Sequence, residues 1–180
     1  MHIGQHPTHT LELRVRELSQ LFNSLDPTPF LNRDLDRSCE AYLENWALPL
    51  PLDSALQLLI HVEQPVSAKE ASELLADAIH NHYGYKIALV RGELAQLLSQ
   101  GRASLAIGLV FVAACLTSGE LLSGAFPGHA AKIARESLTI IGWVAMWRPV
   151  QIFLYDWWPL KRRIRTLEGL RFARVTVVQG

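Results

Sequence analysis

The sequence predicts an α+β membrane protein, in which a small cytoplasmic mixed α/β domain is joined to a two-helix transmembrane hairpin. Two apolar stretches, 104–122 and 138–160, are each long enough to cross a bilayer, and a basic cluster follows the second. Segments of strand type lie before the first stretch and after the second, which predicts the α/β domain. A chain of 180 residues has room for one small domain and an anchor.

Two oppositely charged parts of the chain cancel to the net charge of zero. Residues 1–102 contain eight Lys/Arg and thirteen Asp/Glu, a net charge of −5, whereas residues 103–180 contain nine and four, a net charge of +5. The positive charge is not placed as in a nucleic-acid-binding protein, so we expect no nucleic-acid partner. Cys39 and Cys115 lie in a polar and an apolar segment, and we expect two unpaired thiols. Residues 1–10 contain no apolar run, which predicts no signal peptide and a cytoplasmic N-terminus.

These observations predict four regions. They are a flexible N-terminal tail over 1–10, a cytoplasmic α/β domain over 11–102, the hairpin over 103–160, and a basic cytoplasmic segment with a C-terminal strand over 161–180.

The first region after the tail begins with strand and helix signals. Residues 11–16 alternate between apolar and charged side chains, as in a half-buried strand, and 56–62 (LQLLIHV) is a short apolar run typical of a strand buried on both sides. Residues 172–178 alternate again, so we expect three strands in a small mixed sheet. Between the first two strands, Asp34 or Asp36 could cap a helix that ends near residue 48.

A long helix is predicted to lead into the first span. Ser67, with Glu70 three residues later, forms a capping-box pattern, and the helical pattern continues to about residue 99 despite Gly84 and Gly92. If the helix continues across Gly101, one rod connects the soluble domain to the membrane.

The first span, 104–122, has membrane length. Nineteen residues cover about 28 Å at ~1.5 Å per residue, close to the ~30 Å hydrocarbon core. Its small residues suit close contact between helices. They are Gly108, Ala113, Ala114, Ser118 and Gly119.

The second span, about 138–158, has an aromatic and basic inner end. Tyr155, Trp157 and Trp158 precede the basic run of Lys161, Arg162, Arg163 and Arg165, which matches the aromatic belt and the positive-inside rule. We therefore expect a multi-pass protein of the inner (plasma) membrane, with both termini in the cytoplasm and the loop 123–137 outside. The basic run is expected to contact anionic lipid headgroups. The alternative is a buried apolar hairpin in a soluble protein.

Arg148 is the most unusual residue of the second span. It lies ten residues from each end of 138–158, near the bilayer centre, where an arginine costs about 2.5–3.5 kcal/mol. Pro149 removes a backbone donor, which predicts a kink. Arg148 therefore requires a partner, a water-filled crevice or a path to the headgroups. Asp156, two turns away, and Glu120, on the outer half of the first span, are the acidic candidates.

The sequence contains no motif for a cofactor, and none for nucleophilic or metal-assisted catalysis. Asp36 and Glu40 are one helical turn apart and His61 lies on a predicted strand, so an enzyme acting at the membrane surface is an open alternative. His80 and His82 point about 200° apart on a helix and cannot share a metal ion. We expect no cofactor and no metal.

The order of several segments resembles an uncharacterised family of small bacterial two-span membrane proteins, for which no activity is assigned. The segments are ELRVREL, LFNSLDPTPF with RDLD, LQLLIHV, GRASLAIGL and GWVAMWRPVQIFLYDWWPL, and they extend over nearly the whole chain. The resemblance implies a bacterial inner-membrane protein and nothing about mechanism.

Two-helix hairpins make thin bundles, and an arginine within a span is more easily satisfied among several of them. We therefore expect a non-enzymatic, self-associating structural, signalling or scaffold protein. The alternatives are an oligomeric pore or transport component with Arg148 lining the path, and a membrane-surface enzyme.

Overall fold

The structure is a computed structural model that describes residues 7–23, 34–64, 67–125 and 128–179. The chain divides into two compact units. The first unit comprises Met1–Arg91 and Arg162–Gly180, and the second comprises Gly92–Lys161.

A parallel three-stranded sheet organises the first unit. Its strands are β1 (Thr8–Val15), β2 (Ala55–Val62) and β3 (Arg174–Gln179), in the order β1-β2-β3. Leu11 pairs with Leu58 and Leu58 pairs with Val175, so the apolar side chains of all three strands share one face.

One face of the sheet holds the core of this unit. Along β2, Leu56, Leu58, Ile60 and Val62 are buried, whereas the alternate side chains are only partly buried or exposed. The prediction that this strand is buried on both sides is therefore confirmed for one face and wrong for the other, whose side chains are partly buried or exposed.

Three helical segments contribute to the core on that face. They are α1 (Arg37–Ala47), the part of α2 (Ala68–Ala125) up to Arg91, and the part of α5 (Trp157–Arg171) from Arg162. Their fully buried side chains recur at helical spacing, as an amphipathic helix on a sheet requires. These are Leu43, Leu75, Tyr83, Ile87, Leu167 and Leu170.

The three strands confirm the sequence prediction, but the mixed sheet is wrong. Both pairs of strands are parallel, because each connection contains at least one helix that returns the chain to the same end of the sheet. The tail predicted over 1–10 is wrong for residues 8–10, which belong to β1, and the rest of it lies largely outside the described residues.

The helix boundaries confirm most of the predicted signals. Asp36 is the residue that caps α1, where its carboxylate accepts hydrogen bonds from the backbone N–H groups of Ser38 and Cys39. The helix after Ser67 continues without a break across Gly101, as α2 of 58 residues.

The second unit is a pair of antiparallel helical arms. The first is α2 from Gly92 onward, and the second runs through α3 (His129–Ala145), α4 (Trp147–Gln151), a π-helical turn (Ile152–Asp156) and the start of α5. The loop predicted over 123–137 is largely helical, because α2 continues to Ala125 and α3 begins at His129.

Both arms are apolar on the outside. Among the described residues, two helical stretches are long and apolar enough to cross a membrane, Ala68–Ala125 (α2) and His129–Arg171 (α3 to α5), and only 17% of the most apolar window of each is buried. The apolar surface of the hairpin is therefore mostly exposed and not buried within this chain. Large exposed side chains include Ile107, Val110, Ile140, Trp143, Val144 and Trp147.

Candidate functional site

The two arms of the second unit meet along a seam of small residues. On α2 the buried positions are Gly101, Gly108, Cys115 and Gly119, at steps of seven, seven and four residues. This spacing keeps one face of the helix toward its neighbour. The seam is therefore a coiled-coil-like contact made by residues with little or no side chain.

Close contacts across the seam set the antiparallel register. A Cβ atom built on Gly142 would lie 3.3 Å from Cβ of Cys115, and one built on Gly119 would lie 3.2 Å from Cγ of Arg135. Toward the other end, a Cβ atom on Gly108 would lie 2.8 Å from Sδ of Met146. Larger side chains at these glycines would push the arms apart.

The helix of the second arm is interrupted just before Pro149, as a proline in that position predicts. Pro149 has no N–H to donate to the carbonyl of Ala145, four residues earlier, and α3 ends at Ala145. A turn at Met146 connects α3 to α4. The predicted irregularity at Pro149 is confirmed as this break between helices.

The π-helical turn Ile152–Asp156 brings Arg148 and Asp156 together. In a regular α-helix, residues eight positions apart are displaced by about 80° around the axis. A π-turn has hydrogen bonds to the fifth residue and about 4.4 residues per turn, so one α-turn and one π-turn together hold about eight residues. Nη1 of Arg148 consequently lies 3.4 Å from Oδ2 of Asp156.

The seam also defines the level of Arg148 along the hairpin. Its neighbour Pro149 contacts the position of Gly108, which is six residues, about 9 Å, from Arg102 along α2. The uncharged part of α2 extends from 103 to 119. Arg148 therefore lies beside the half of this segment that is closer to Arg102. Span length alone places Arg148 at the centre of its own arm, whereas the register moves it toward the basic end.

An open groove lies beside Arg148. It has a volume of about 310 Å³, and seven residues line it. These are Ser104, Ile107, Gly108, Phe111, Ala145, Arg148 and Pro149. Gly108, which has no side chain, and Pro149, which follows the break between α3 and α4, both line it.

Glu120 belongs to the opposite end of the hairpin. Its Oε1 lies 2.6 Å from Nη2 of Arg135, and both side chains are more than half exposed. The possibility that Glu120 reaches Arg148 is therefore wrong. The hydroxyl of Thr117 donates to the Ala113 carbonyl of its own helix at 2.8 Å.

The four basic residues near the start of α5 are all exposed, and they have different neighbours. The ammonium of Lys161 lies 5.2 Å from the ring centroid of Trp157, within the second unit. In the first unit, Nη2 of Arg162 donates to the Leu48 carbonyl at 3.4 Å, and Arg165 lines a small cavity beside Thr166. Arg163 is exposed.

The first unit contains a charged cluster that sequence analysis missed. Lys86 of α2 donates to carboxylate oxygens of Glu40 and Glu44, one turn apart on α1. Nε2 of His82 lies 3.5 Å from Glu40, and its Nδ1 lies 3.3 Å from Asp34. The sequence did contain a signal for this cluster. Glu40 and Glu44 are four residues apart on one helix, and the basic residues His82 and Lys86 have the same spacing on another.

Burial shifts the ionisation of this cluster. Desolvation raises the pKa of Glu44 and lowers the pKa of Lys86, and the positive charge of Arg163 opposes the first shift and adds to the second. Desolvation also raises the pKa of the Cys39 thiol to about 11, and the Asp36 carboxylate adds to that shift. These groups hold α1 against α2.

Asp36, Glu40 and His61, the residues suggested for a membrane-surface enzyme, each interact with different partners. Backbone hydrogen bonds from the start of α1 lower the pKa of Asp36, whereas Glu40 pairs with Lys86, and His61 lies 3.9 Å from Glu12 on the sheet. Within the described ranges, no group of three or more His, Cys, Asp or Glu side chains could hold a metal ion. Cys39 and Cys115 are both free.

No protein-family model, no curated protein and no solved structure matches this chain. The geometry of the two units is therefore the basis for a functional proposal.

Proposed function

We propose that the protein is a two-span protein of a bacterial inner membrane that associates with copies of itself and presents its α/β unit to the cytoplasm as a structural, signalling or scaffold element. The proposal rests on one observation, a stripe of exposed and mostly small residues on the free face of α2.

The stripe occupies the face of α2 opposite the hairpin seam. Its positions recur at steps of three, four and seven residues, within a sector of about 80° at 100° per residue. They are Gly92, Ala95, Ser99, Ala103, Ala106, Ala113, Thr117 and Gly124, and the same sector also holds two larger exposed residues, Val110 and Leu121. All eight are exposed, and a Cβ atom built on Gly92 or Gly124 would meet no heavy atom within 4 Å.

Helices in lipid associate through close packing, because lipid tails are as apolar as the side chains they would replace. The seam of the hairpin uses Gly108 and Gly119 in this way, and the stripe offers a second surface of the same kind. A copy of α2 from another chain has the matching surface, so a symmetric contact requires no other partner.

The membrane setting is supported by the outer surface of the second unit. Two helices have spanning length and composition with most of their apolar surface exposed. Trp158 and Lys161 lie at the end that the positive-inside rule assigns to the cytoplasm, and the first unit resumes at Arg162. Pairing of Arg148 with Asp156 of the same chain reduces the need for a channel that hydrates Arg148, so self-association is better supported than a pore.

The test measures association in vesicles at several protein-to-lipid ratios, by energy transfer between labelled full-length chains. Ala106→Leu and Ala113→Leu, each on the stripe, should weaken association by at least tenfold. Ser137→Leu, an exposed change of similar size on α3, is the matched control and should associate like the wild type. Resistance to alkaline extraction verifies insertion of every variant.

Two results would overturn the proposal. One is extraction of the wild-type chain by alkaline carbonate, which would exclude membrane spanning. The other is an inserted protein that stays monomeric at every ratio, or whose association is unaffected by both stripe substitutions.

A further inference from the structure

The groove beside Arg148 combines an apolar wall with a cationic group. Ile107 and Phe111 provide the apolar wall, and Arg148 is the charged residue among the lining side chains. A volume of about 310 Å³ lies at the lower end of the range of small-molecule sites, ~300–1,000 Å³. It accommodates part of an acyl chain with the polar group attached to it.

Arg148 retains donor capacity toward this groove. A guanidinium has five N–H donors, and among the described residues its hydrogen-bond partner is one oxygen of Asp156, at the long distance of 3.4 Å. The side chain of Arg148 is 59% exposed. An oxyanion with two or three oxygens could accept the remaining N–H groups, which is the geometry that arginine favours.

The polar environment of the groove favours a headgroup rather than a purely apolar chain. Pro149 leaves the Ala145 carbonyl without its usual helical donor, and Ser104 adds a half-buried hydroxyl to the lining. A phospholipid glycerol or headgroup hydroxyl could donate to that carbonyl. The site therefore contains both an oxyanion partner and an acceptor for a hydroxyl.

The level of the groove suits a lipid that stays in its own leaflet. Arg148 is level with Ser104 and Gly108, close to Arg102, and its guanidinium extends toward Asp156 at the basic end of the hairpin. A lipid phosphate at the basic end of the hairpin can contact the guanidinium, because a long arginine side chain can extend from the apolar region toward the headgroups. The attached chain would then extend past Ile107 and Phe111 toward the middle of the span.

We propose that this groove binds one anionic phospholipid, with its phosphate on Arg148 and one acyl chain against Ile107 and Phe111. The proposal rests on the proposed membrane-spanning function. The lipid lies on one side of the hairpin seam, whereas the stripe of small residues lies on the opposite face of α2, so both contacts can form at once.

The experiment uses native mass spectrometry of the full chain released from bilayer discs that contain phosphatidylcholine with or without phosphatidylglycerol. The wild type should retain one phosphatidylglycerol in preference to phosphatidylcholine. Arg148→Gln should retain about tenfold less, because it removes a charge-assisted contact. Ile107→Trp, a change at an exposed rim position, should also reduce retention while Arg148 remains.

Arg135→Gln is the matched control, because Arg135 is an exposed, carboxylate-paired arginine at the opposite end of the hairpin. It should retain the lipid like the wild type. Addition of inorganic phosphate to discs of phosphatidylcholine alone should give no adduct that depends on Arg148; such an adduct would assign the groove to a free anion and overturn the lipid proposal.

Other outcomes are equally decisive. Equal retention of both lipids by an inserted wild-type chain would overturn the lipid proposal without affecting membrane spanning. Loss of self-association in Ile107→Trp, with lipid retention unchanged, would place a second copy in the groove. Failure of the wild type to resist alkaline extraction would overturn the proposed function itself.

Discussion

Lys86 is the residue whose removal gives the sharpest test of the first unit. Its ammonium lies between Glu40 and Glu44, and the three side chains are 17%, 22% and 24% exposed. Lys86→Met keeps the aliphatic stem but leaves two carboxylates one turn apart on α1 without their shared cation. Removal of one partner costs ~3–5 kcal/mol for a fully buried pair. Because these groups are partly hydrated, we expect about 2–3 kcal/mol.

The appropriate assay is amide hydrogen exchange of α1 (Arg37–Ala47) in the detergent-solubilised full chain, because local opening of one helix is measured without unfolding the hairpin. A loss of 2–3 kcal/mol corresponds to exchange about 30- to 150-fold faster. The matched control is Arg91→Met on the same helix. Arg91 lies 2.7 Å from Glu168, but the two side chains are 62% and 37% exposed, so we expect only about 0–1 kcal/mol.

The effect of Lys86→Met should also depend on pH. Burial already raises the pKa of Glu44 above 4.5 with Lys86 present, and loss of the cation raises it further. The variant is penalised only while the carboxylates are ionised, so the difference from wild type should shrink as the pH falls through that range. A difference that is the same at neutral pH and near pH 4.5, or no larger than that of Arg91→Met, would refute the reasoning.

Three further predictions concern single side chains. Gly142→Leu should separate the two arms at their 3.3 Å contact and so make Cys115 accessible to maleimide. The control Gly124→Leu should leave Cys115 protected, because a Cβ atom there meets nothing within 4 Å. Equal labelling of Cys115 in the two variants would contradict the proposed contact between the arms. Alkylation of Cys39, measured in Cys115→Ala, should rise about tenfold per pH unit with no plateau before pH 10, because the pKa of the thiol is about 11. Asp36→Ala should accelerate amide exchange of α1 at neutral pH. The difference from the wild type should vanish as the pH falls through the pKa of Asp36, which is lowered below 3.8. An unchanged exchange rate at neutral pH would show that the cap does not stabilise α1.

Local signals in the sequence determined the elements of this protein. Alternation over 11–16 and 172–178 predicted β1 and β3, an aspartate at 34 or 36 predicted the start of α1, and Pro149 marked the break in the second arm. These features depend on residues within one turn or one strand of each other, so the chain order alone contains the information. The two stretches of spanning length are predictable for the same reason, because length and composition are local properties.

The tertiary structure decided which residues meet. Sequence spacing placed Asp156 two turns from Arg148 on one helix, and it did not predict the π-turn that brings the two side chains together. The level of Arg148 depends on contact between Gly108 and the second arm. The cluster around Lys86 joins residues more than 40 positions apart in the chain. Pairings of this kind depend on the register between elements, which many side chains determine jointly and no local pattern encodes.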